Sequence, residues 1–323
     1  MTTAFIATTG GHLTQLTELA QRIPPDPDAV WVTHANPQST SLLAGRNVEY
    51  IPYVGARDIP GVLRSLVKAH ALFRRSRPQR AVSTGSGIAL GYLPYLALRG
   101  VECHYIESAA RVGGPSLTGR ILRWAPRIRT YTQYRHWSGP HWHYGGSGFD
   151  AYEPAPGDVS FGDRIQVVVT VGTAMEFPFA RLMHALAPLL APGGDLERVT
   201  GLPVEVLWQT GCTPVDDLPL TATPFLPAAD LTAALAEADI VVSHAGTGSV
   251  LANLAAGRFA VVVSRLAEFG EAVDDHQKEL AEELVERGLA IHRDPEKITV
   301  DDLLDTRQHA VRRVPHASPF ELQ

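Results

Sequence analysis

The segment ADIVVSHAGTGSVLANLAAGR, residues 238–258, decides the fold of the second half of the chain. Its apolar run Ala238–Val242 predicts a buried parallel strand, and the Gly-rich turn after it opens a helix. A helix that begins on such a turn presents unpaired backbone N–H groups and the positive end of its dipole at one point. Gly246 and Gly248 let a ligand approach the backbone closely, and Ser249 adds a hydroxyl. The segment therefore predicts an α/β domain with an anion site at a strand end.

Strand and helix patterns alternate along the rest of the chain as well. The first half begins with a strand at Thr3–Thr8, and a Pro/Gly/Asp-rich segment, Asp150–Asp163, interrupts the alternation and is typical of a linker. The pattern restarts with a strand at Ile165–Val171. Such alternation predicts parallel sheets covered on both faces. We therefore predict two Rossmann-like domains, residues 1–150 and 151–323, with the carboxyl ends of their strands facing a cleft.

Composition excludes several classes of protein. The chain has 323 residues, 45% of them hydrophobic, which is enough for two sizeable cores. Its two cysteines, Cys103 and Cys212, lie far apart and indicate a reducing compartment without a cysteine metal site. No uncharged apolar run of about 18 residues occurs, and the first residues lack the charged region of a signal peptide. We expect a cytoplasmic protein without a membrane span.

Charge separates the two halves. Residues 1–150 carry 16 Lys and Arg against 8 Asp and Glu, whereas residues 151–323 carry 12 against 26. Between Ser108 and Gly148 there are arginines but no acidic residue: Arg111, Arg120, Arg123, Arg127, Arg129 and Arg135. These residues are either a solvated face or a surface for an anionic partner such as lipid headgroups or a lipid diphosphate. Nucleic acid is not the expected partner, because the sequence pI is about 6.1 and no binding module is present.

The predicted strand ends of the first half carry polar residues. His12 follows the first strand on the turn Thr8–His12, where it is suited to act as a general base toward a hydroxyl group. Glu107 ends a later strand and is the alternative base. The residues that we assign to an acceptor around these two are Gly11, Ser86, Ser108, Arg111, Ser116, Thr118 and Arg120. His141 and His143 flank Trp142, but no Cys or carboxylate lies near them, so we expect no metal.

Several motifs resemble known glycosyltransferases. In the second half, VTVGT (Val169–Thr173), SHAGTGS (Ser243–Ser249) and DDHQKELAEEL (Asp274–Leu284) resemble glycosyltransferase family 28 and the catalytic subunit of the UDP-GlcNAc transferase of lipid-linked oligosaccharide synthesis. In the first half, GGH (Gly10–His12), STGSG (Ser83–Gly87) and IES (Ile106–Ser108) resemble the membrane-recruiting partner subunit of that transferase. The chain thus looks like a fusion of the two subunits, and EFGEAVDDHQ (Glu268–Gln277) is most similar to the bacterial exopolysaccharide branch.

The resemblance implies a GT-B fold, an inverting mechanism and a UDP-sugar donor, with no essential metal and no other cofactor. The sequence departs from the family pattern at Ala252, where relatives carry a Glu that holds the ribose. Asn253 is the nearest polar substitute for that Glu. A membrane helix of the partner subunit is missing, so membrane contact would be peripheral, at the inner face of the plasma membrane. The residues assigned to the donor are Gly172, Thr173, His244, Gly246, Thr247, Gly248, Ser249, Asn253, Asp275, His276 and Gln277.

We therefore predict a UDP-sugar-dependent glycosyltransferase, a hexosyltransferase whose acceptor is a sugar on a polyprenyl diphosphate in cell-surface polysaccharide synthesis. The helix at Gly246 would stabilise the departing UDP. Three alternatives stay open: a glycosyltransferase that acts on a soluble secondary metabolite, a UDP-sugar 2-epimerase, and a non-catalytic recruiting partner.

Overall fold

The computed structural model describes residues 2–55, 58–172 and 177–323, and the chain forms two compact units. The first unit extends to Ala151 and includes the C-terminal segment His316–Gln323, whereas the second is Tyr152–Pro315. Each unit is built on a parallel sheet with helices, as the alternating pattern predicts.

The first unit holds a seven-stranded parallel sheet in the order β3-β2-β1-β4-β5-β6-β7. Buried apolar residues form a cluster on each side of it, one around Tyr92 and Leu96 of α4 and one around Leu16 and Leu19 of α1. Its strands are β1 (Thr3–Ala7), β2 (Val30–His34), β3 (Asn47–Ile51), β4 (Arg80–Gly85), β5 (Glu102–Ile106), β6 (Ile128–Thr132) and β7 (His143–Tyr144). Its helices are α1 (Gly11–Ala20), α2 (Pro37–Leu42), α3 (Ile59–Phe73), α4 (Gly87–Leu98) and α5 (Leu117–Leu122).

The second unit holds a six-stranded parallel sheet in the order β11-β10-β9-β12-β13-β14. Every residue of its central strand β12 is buried, which explains the unbroken apolar run in the sequence. Its strands are β8 (Tyr152–Pro156), β9 (Ile165–Thr170), β10 (Val204–Gln209), β11 (Ala222–Thr223), β12 (Ile240–His244), β13 (Ala260–Val263), β14 (Ala290–His292) and β15 (His309–Arg313). Its helices are α6 (Ala180–Leu190), α7 (Asp195–Thr200), α8 (Ala228–Glu237), α9 (Thr247–Ala255), α10 (His276–Glu286) and α11 (Val300–Asp305).

The predicted linker Asp150–Asp163 is partly wrong, because it contains the strand β8. This strand pairs antiparallel with β15, with Pro154 opposite Val311 and Pro156 opposite His309. Prolines fit there because each strand of a two-stranded ribbon has one edge without hydrogen-bond partners. The partner strand lies about 150 residues away in sequence, so local composition does not reveal it.

The C-terminal segment belongs to the first unit because its aromatic residue is buried there. Phe320 is 2% exposed, its ring centre lies 6.0 Å from that of Tyr131, and its backbone N–H donates to the carbonyl of Arg22 at 2.8 Å. The N–H of Glu321 donates to the carbonyl of Gly145 at 2.9 Å. The structure thus divides the chain after Ala151 and returns its last eight residues to the first unit, whereas the sequence prediction assigned residues 151–323 as a whole to the second.

Both sheets have a switch point in their winding. In the first unit the chain proceeds outward from β1 through β2 to β3 and then returns to place β4 on the other side of β1. The second unit repeats this with β9, β10 and β11 before β12 returns beside β9. Ligands of open α/β sheets bind at the carboxyl ends of the strands that flank such a point. The turns after β1, β4, β9 and β12 are therefore the candidate positions.

Candidate functional site

At the switch point of the first unit, the turns after β1 and β4 are tied together. The backbone N–H of Thr8 donates to the carbonyl of Gly85 at 2.9 Å, and the hydroxyl of Thr84 donates to the carbonyl of His12 at 2.7 Å. The backbone N–H of Ser86 donates to the hydroxyl of Thr8 at 3.2 Å. These bonds fix the start of α1, and with it His12, against the end of β4.

His12 is held in one tautomer by this arrangement. Its Nδ1 lies 2.7 Å from the carbonyl oxygen of Thr84. A carbonyl oxygen can only accept, so Nδ1 carries the proton and the neutral ring has its lone pair on Nε2. Gly85, at φ +106°, makes room for the ring, because a Cβ there would stand 3.1 Å from His12 Cε1. The geometry suits a general base.

Glu107 lies on the neighbouring strand end, but its carboxylate is fully engaged. It is 1% exposed and accepts hydrogen bonds from the Tyr105 hydroxyl at 3.1 Å, the Ser108 N–H at 3.0 Å, and the N–H and hydroxyl of Ser116, each at 2.9 Å. Burial raises its pKa, whereas these bonds oppose the rise. Glu107 thus anchors the loop that ends at Ser116. The geometry favours His12 over Glu107 as the base, and the catalytic role of each stays a prediction.

The predicted acceptor residues fall into two groups. Gly11 and Ser86 lie on the tied turns beside His12, and Ser108, Arg111, Thr118 and Arg120 lie in or after the loop that Glu107 anchors. Ser116 differs, because its hydroxyl donates to Glu107 and accepts from the N–H of Gly119 at 3.1 Å as the cap of α5. The acceptor contact assigned to the Ser116 hydroxyl is therefore corrected to a helix-capping role.

Two residues of this loop were missed from the sequence. The hydroxyl of Tyr105 donates to Glu107. The same hydroxyl lies 3.3 Å from the hydroxyl of Ser116. Gly119 lets α5 approach Glu107, since a Cβ there would lie 2.3 Å from Glu107 Oε2. The single glycine within the segment Ser116–Arg120 was the available signal for this close packing.

At the switch point of the second unit, α9 begins without a side-chain cap. Gly246 occupies the N-cap position and offers no side chain, so the first-turn N–H groups of Thr247, Gly248 and Ser249 are left for a ligand. A side chain caps α2, α3, α5 and α11, whereas α9 shares the lack of such a cap with α1, α4, α6, α7, α8 and α10. An uncapped helix start at the carboxyl edge of a parallel sheet is an anion site.

His244, the last residue of β12, packs inward behind this helix start. It is 8% exposed, and burial together with the nearby charge of Arg265 lowers its pKa to about 3, so the ring is neutral. A Cβ at Gly172 would lie 2.5 Å from the ring and one at Gly246 only 2.2 Å. The absence of a side chain at Gly246 therefore makes room for His244, which corrects the interpretation that it serves only the approach of a ligand.

The start of α10 holds the remaining donor candidates. Asp275 accepts the N–H of Ala267 at 2.8 Å, and the side chain of Gln277 accepts the N–H of Arg265 at 3.1 Å. His276 is partly exposed and pairs through Nδ1 with Asp274. Gly172 lies on the turn after β9 with φ +73°, whereas Thr173, the other candidate on that turn, lies outside the described residues.

The side chain of Asn253 is turned toward the sheet. Its side chain is 2% exposed, and Nδ2 donates to the hydroxyl of Ser243 at 2.8 Å. This bond fastens α9 to β12 on the inner face of the helix. The donor contact assigned to Asn253 is thus corrected to a packing role, because residue type and distance along the chain do not reveal which face of the helix is buried.

Arg265 was also missed as a candidate. It is 3% exposed, and its Nη2 donates to the carbonyl of Val171 at 2.6 Å, next to the turn after β9. The sequence feature that could have indicated Arg265 was its position, two residues after the end of β13. Within residues 2–55, 58–172 and 177–323, no group of three or more His, Cys, Asp or Glu is placed to hold a metal ion. No helix in that part of the chain has the length and apolar character of a membrane span.

Comparison with known proteins identifies the second unit. Residues 166–317 match the glycosyltransferase family 28 C-terminal domain. The chain is 27% identical over 309 residues to a UDP-N-acetylglucosamine–N-acetylmuramyl-(pentapeptide) pyrophosphoryl-undecaprenol N-acetylglucosamine transferase of Parasynechococcus marenigrum, with 88% of this chain and 80% of that protein covered.

Two shorter similarities concern subunits of another transferase. The chain is 30% identical over 131 residues to the UDP-N-acetylglucosamine transferase subunit ALG14 of Eremothecium gossypii, covering 32% of this chain and 58% of that protein. It is 41% identical over 70 residues to subunit ALG13 of Yarrowia lipolytica, covering 21% of this chain and 34% of that protein.

Solved structures confirm the fold. MurG of Acinetobacter baumannii superposes with a TM-score of 0.56 at 18% identity, with 94% of this chain and 89% of that chain covered. The glycosyltransferase SnogD of Streptomyces nogalater superposes with a TM-score of 0.58 at 16% identity, covering 94% and 91%. The chain is a glycosyltransferase with a GT-B fold, and residues 166–317 of its second unit match the family 28 C-terminal domain. The predicted enzyme class, a UDP-sugar-dependent glycosyltransferase, is confirmed.

Proposed function

We propose that the protein is an inverting glycosyltransferase that transfers a sugar from a UDP-sugar to a sugar hydroxyl on a polyprenyl diphosphate. Similarity to an undecaprenol-linked transferase along most of the chain supports this acceptor class. Similarity to both ALG13 and ALG14 supports a fusion of a catalytic and a recruiting subunit in one chain. The pathway we propose is bacterial exopolysaccharide synthesis.

The uncapped start of α9 is the observation that carries the donor assignment. Three backbone N–H groups and the positive end of a nine-residue helix meet there, at the switch point of the family 28 domain. The diphosphate of the donor binds these groups, with Gly248 allowing the approach. Gly172, Thr173 and the start of α10, with Asp275, His276 and Gln277, complete the donor site.

His12 is the proposed base of the acceptor site. Its Nε2 takes the proton of the acceptor hydroxyl as that oxygen forms a bond to the anomeric carbon of the donor sugar. The bond from the anomeric carbon to the β-phosphate oxygen breaks, and UDP leaves with the electron pair. The configuration at the anomeric carbon is inverted, because attack and departure occur in one displacement. The helix start at α9 stabilises the charge on UDP, without a metal or other cofactor.

A panel of UDP-sugars tests the donor assignment. A ligand at 100 times its Kd stabilises the folded state by about 2.7 kcal/mol, so a thermal shift will identify the preferred sugar. That sugar is then incubated with and without a lipid-diphosphate acceptor. UDP release only in the presence of acceptor, with a β-linked product from an α-linked donor, is the expected result. UDP release without acceptor together with a 2-epimer would contradict the proposal and favour the epimerase.

We further propose that the first unit binds an anionic membrane surface. Leu117, Ile121 and Trp124 are 63%, 51% and 67% exposed and recur at the spacing of one helix face. On α3, which packs against α4 as α5 does, Ile59, Leu63 and Val67 are 72%, 59% and 67% exposed. Exposed apolar side chains next to basic ones are typical of a peripheral membrane face.

The proposed face needs basic residues whose charge is not already paired within the protein. Arg129 pairs with Glu102 at 2.9 Å, so its charge is compensated, and the guanidinium of Arg123 lies over the ring of Trp124 at 4.9 Å. Arg120 and Arg127 are exposed, and α3 adds the exposed Lys68, whereas Arg64 pairs with Asp58 at 3.5 Å. Basic residues near an anionic surface contribute about 1 kcal/mol each.

Liposome binding tests the membrane proposal. We expect binding to anionic vesicles at low salt, weak binding to neutral vesicles, and loss of binding when Leu117, Ile121 and Trp124 are changed together to Ser. Val199→Ser, an equally exposed apolar residue of the second unit, is the matched control and keeps binding. Equal binding of the triple variant and the wild type would reject the membrane role and favour a soluble acceptor.

A further inference from the structure

Arg265 spans the edge of the second-unit sheet at its switch point. It follows β13, and its Nη2 reaches the carbonyl of Val171 beyond the end of β9, 2.6 Å away. Because β12 lies between β13 and β9, the side chain crosses the carboxyl end of β12. The guanidinium carbon lies 5.5 Å from the ring centre of Phe179, and the backbone N–H donates to Gln277. One residue thus connects β13, β9 and the start of α10.

No carboxylate among the residues that the structure describes forms an ion pair with Arg265, although the charge of Glu271 opposes the lowering of its pKa by burial. The side chain is almost completely buried, and its Nε has no hydrogen-bond partner there. Both oxygens of nearby Glu271 are engaged by Arg181, at 3.1 and 3.0 Å. Buried charges are normally paired, because removing an ion from water is costly. A buried guanidinium that has no ion pair among the described residues, at the switch-point edge of a parallel sheet, is suited to bind an anion.

We propose that Arg265 binds the diphosphate of the sugar nucleotide and stabilises the charge of the departing UDP. The inference rests on the donor assignment above. When the bond between the anomeric carbon and the β-phosphate oxygen breaks, the electron pair stays on that oxygen. An arginine is always charged and donates several N–H groups to phosphate oxygens. The start of a helix offers about half an elementary charge, and Arg265 adds a whole one.

The neighbouring His244 does not supply this charge. Its imidazole is neutral, because burial and the proximity of Arg265 both disfavour protonation and lower its pKa to about 3. The imidazole therefore fills space under the Gly246 turn, and the positive charge of this edge resides on the guanidinium.

Calorimetry with uridine, UMP and UDP separates phosphate recognition from a structural role. The variants are Arg265→Gln, which removes the charge, and Arg265→Lys, which keeps it without the planar fork. We expect Arg265→Gln to lower UDP affinity about 10- to 100-fold and uridine affinity less than about 2-fold, with Arg265→Lys between wild type and Arg265→Gln. Arg258→Gln is the matched control, since Arg258 is half-buried and donates to the carbonyls of Leu235 and Ala236 at the opposite edge of this sheet.

The outcomes distinguish this inference from the donor assignment. If wild type binds UDP no better than uridine, the donor assignment fails and the inference fails with it. If wild type prefers UDP and the Arg265 variants keep the same UDP-to-uridine affinity ratio, the inference alone is overturned and Arg265 is structural. If circular dichroism shows that Arg265→Gln does not fold, the affinity ratio of Arg265→Lys decides, and an unchanged ratio overturns the inference.

Discussion

The two units each place a histidine at the switch point of a parallel sheet, yet the imidazoles have opposite environments. His12 is partly exposed, and a backbone carbonyl fixes the proton on Nδ1. His244 is buried, its Nδ1 has no partner among the described residues, and its pKa is lowered to about 3. In the first unit, the missing side chain of Gly85 leaves space beside the His12 ring. In the second unit, Gly172 and Gly246 pack closely around the His244 ring.

This difference shows why a strand followed by a Gly-rich turn and a histidine does not define a role by itself. His12 begins a helix after the glycines, so its side chain lies over the turn. His244 precedes the glycines as the last residue of its strand, so the pleat turns it into the sheet edge. One residue is suited to exchange a proton and the other to pack. The following predictions test that contrast.

The largest effect is expected from the loss of the His12 imidazole. His12→Ala should lower kcat by about 10²- to 10⁴-fold, because general base catalysis typically contributes that factor. UDP affinity should be unchanged, because the proposed donor site lies in the second unit. Steady-state kinetics and calorimetry measure both quantities, and added imidazole should restore part of the rate. If His12→Ala keeps its kcat while Glu107→Gln loses activity, the base is Glu107.

The second prediction concerns the start of α9. Gly248→Val should lower UDP affinity by about 100-fold, since a branched side chain in the first turn separates the diphosphate from two or more N–H donors. The fold should persist, because valine costs less than about 1 kcal/mol in a helix. Ala255→Val, at the exposed last residue of the same helix, is the control and should bind UDP as wild type does. Wild-type UDP affinity in Gly248→Val would place the diphosphate elsewhere.

The third prediction concerns the pH dependence of stability. A folded-state pKa of about 3 for His244 means that between pH 6.5 and 3 the unfolded state binds a proton that the folded state does not. Stability therefore falls as the pH drops below 6.5, and at pH 5 this residue accounts for about 2 kcal/mol of the loss relative to pH 7.5. In His244→Gln, denaturant unfolding at both pH values should show a loss smaller by that amount. His316→Gln, at an exposed histidine, should not differ from wild type, and an unchanged loss in His244→Gln would show that the ring is not buried neutral.

The architecture could be predicted from the sequence because its signals are local. Apolar runs such as Val167–Val171, directly followed by Gly172, and Ile240–Val242, with Gly246 four residues later, specify buried parallel strands that end in turns. What could not be predicted depends on contacts between distant residues. Three features are of this kind: the β8–β15 ribbon, the contact of Phe320 with Tyr131, and the hydrogen bonds that occupy Glu107. Each joins segments whose proximity cannot be read from a short stretch of sequence. Arg265 was missed for the same reason, because its contact with the carbonyl of Val171 joins the ends of two strands that are distant in sequence.

The smallest effect is expected at Asn253, where the structure and the sequence interpretation disagree. If its amide fastens α9 to β12 through Ser243, then Asn253→Ala should lower the free energy of unfolding by about 1–2 kcal/mol and leave UDP affinity unchanged. A ribose contact would give the reverse, with lower affinity for UDP and uridine and little change in stability. Ser243→Ala and the double variant complete a cycle that isolates the bond, because only residues in contact show a coupling energy. A coupling energy near zero together with weaker uridine binding would return Asn253 to the donor site and would show that the inner face of α9 opens toward its ligand.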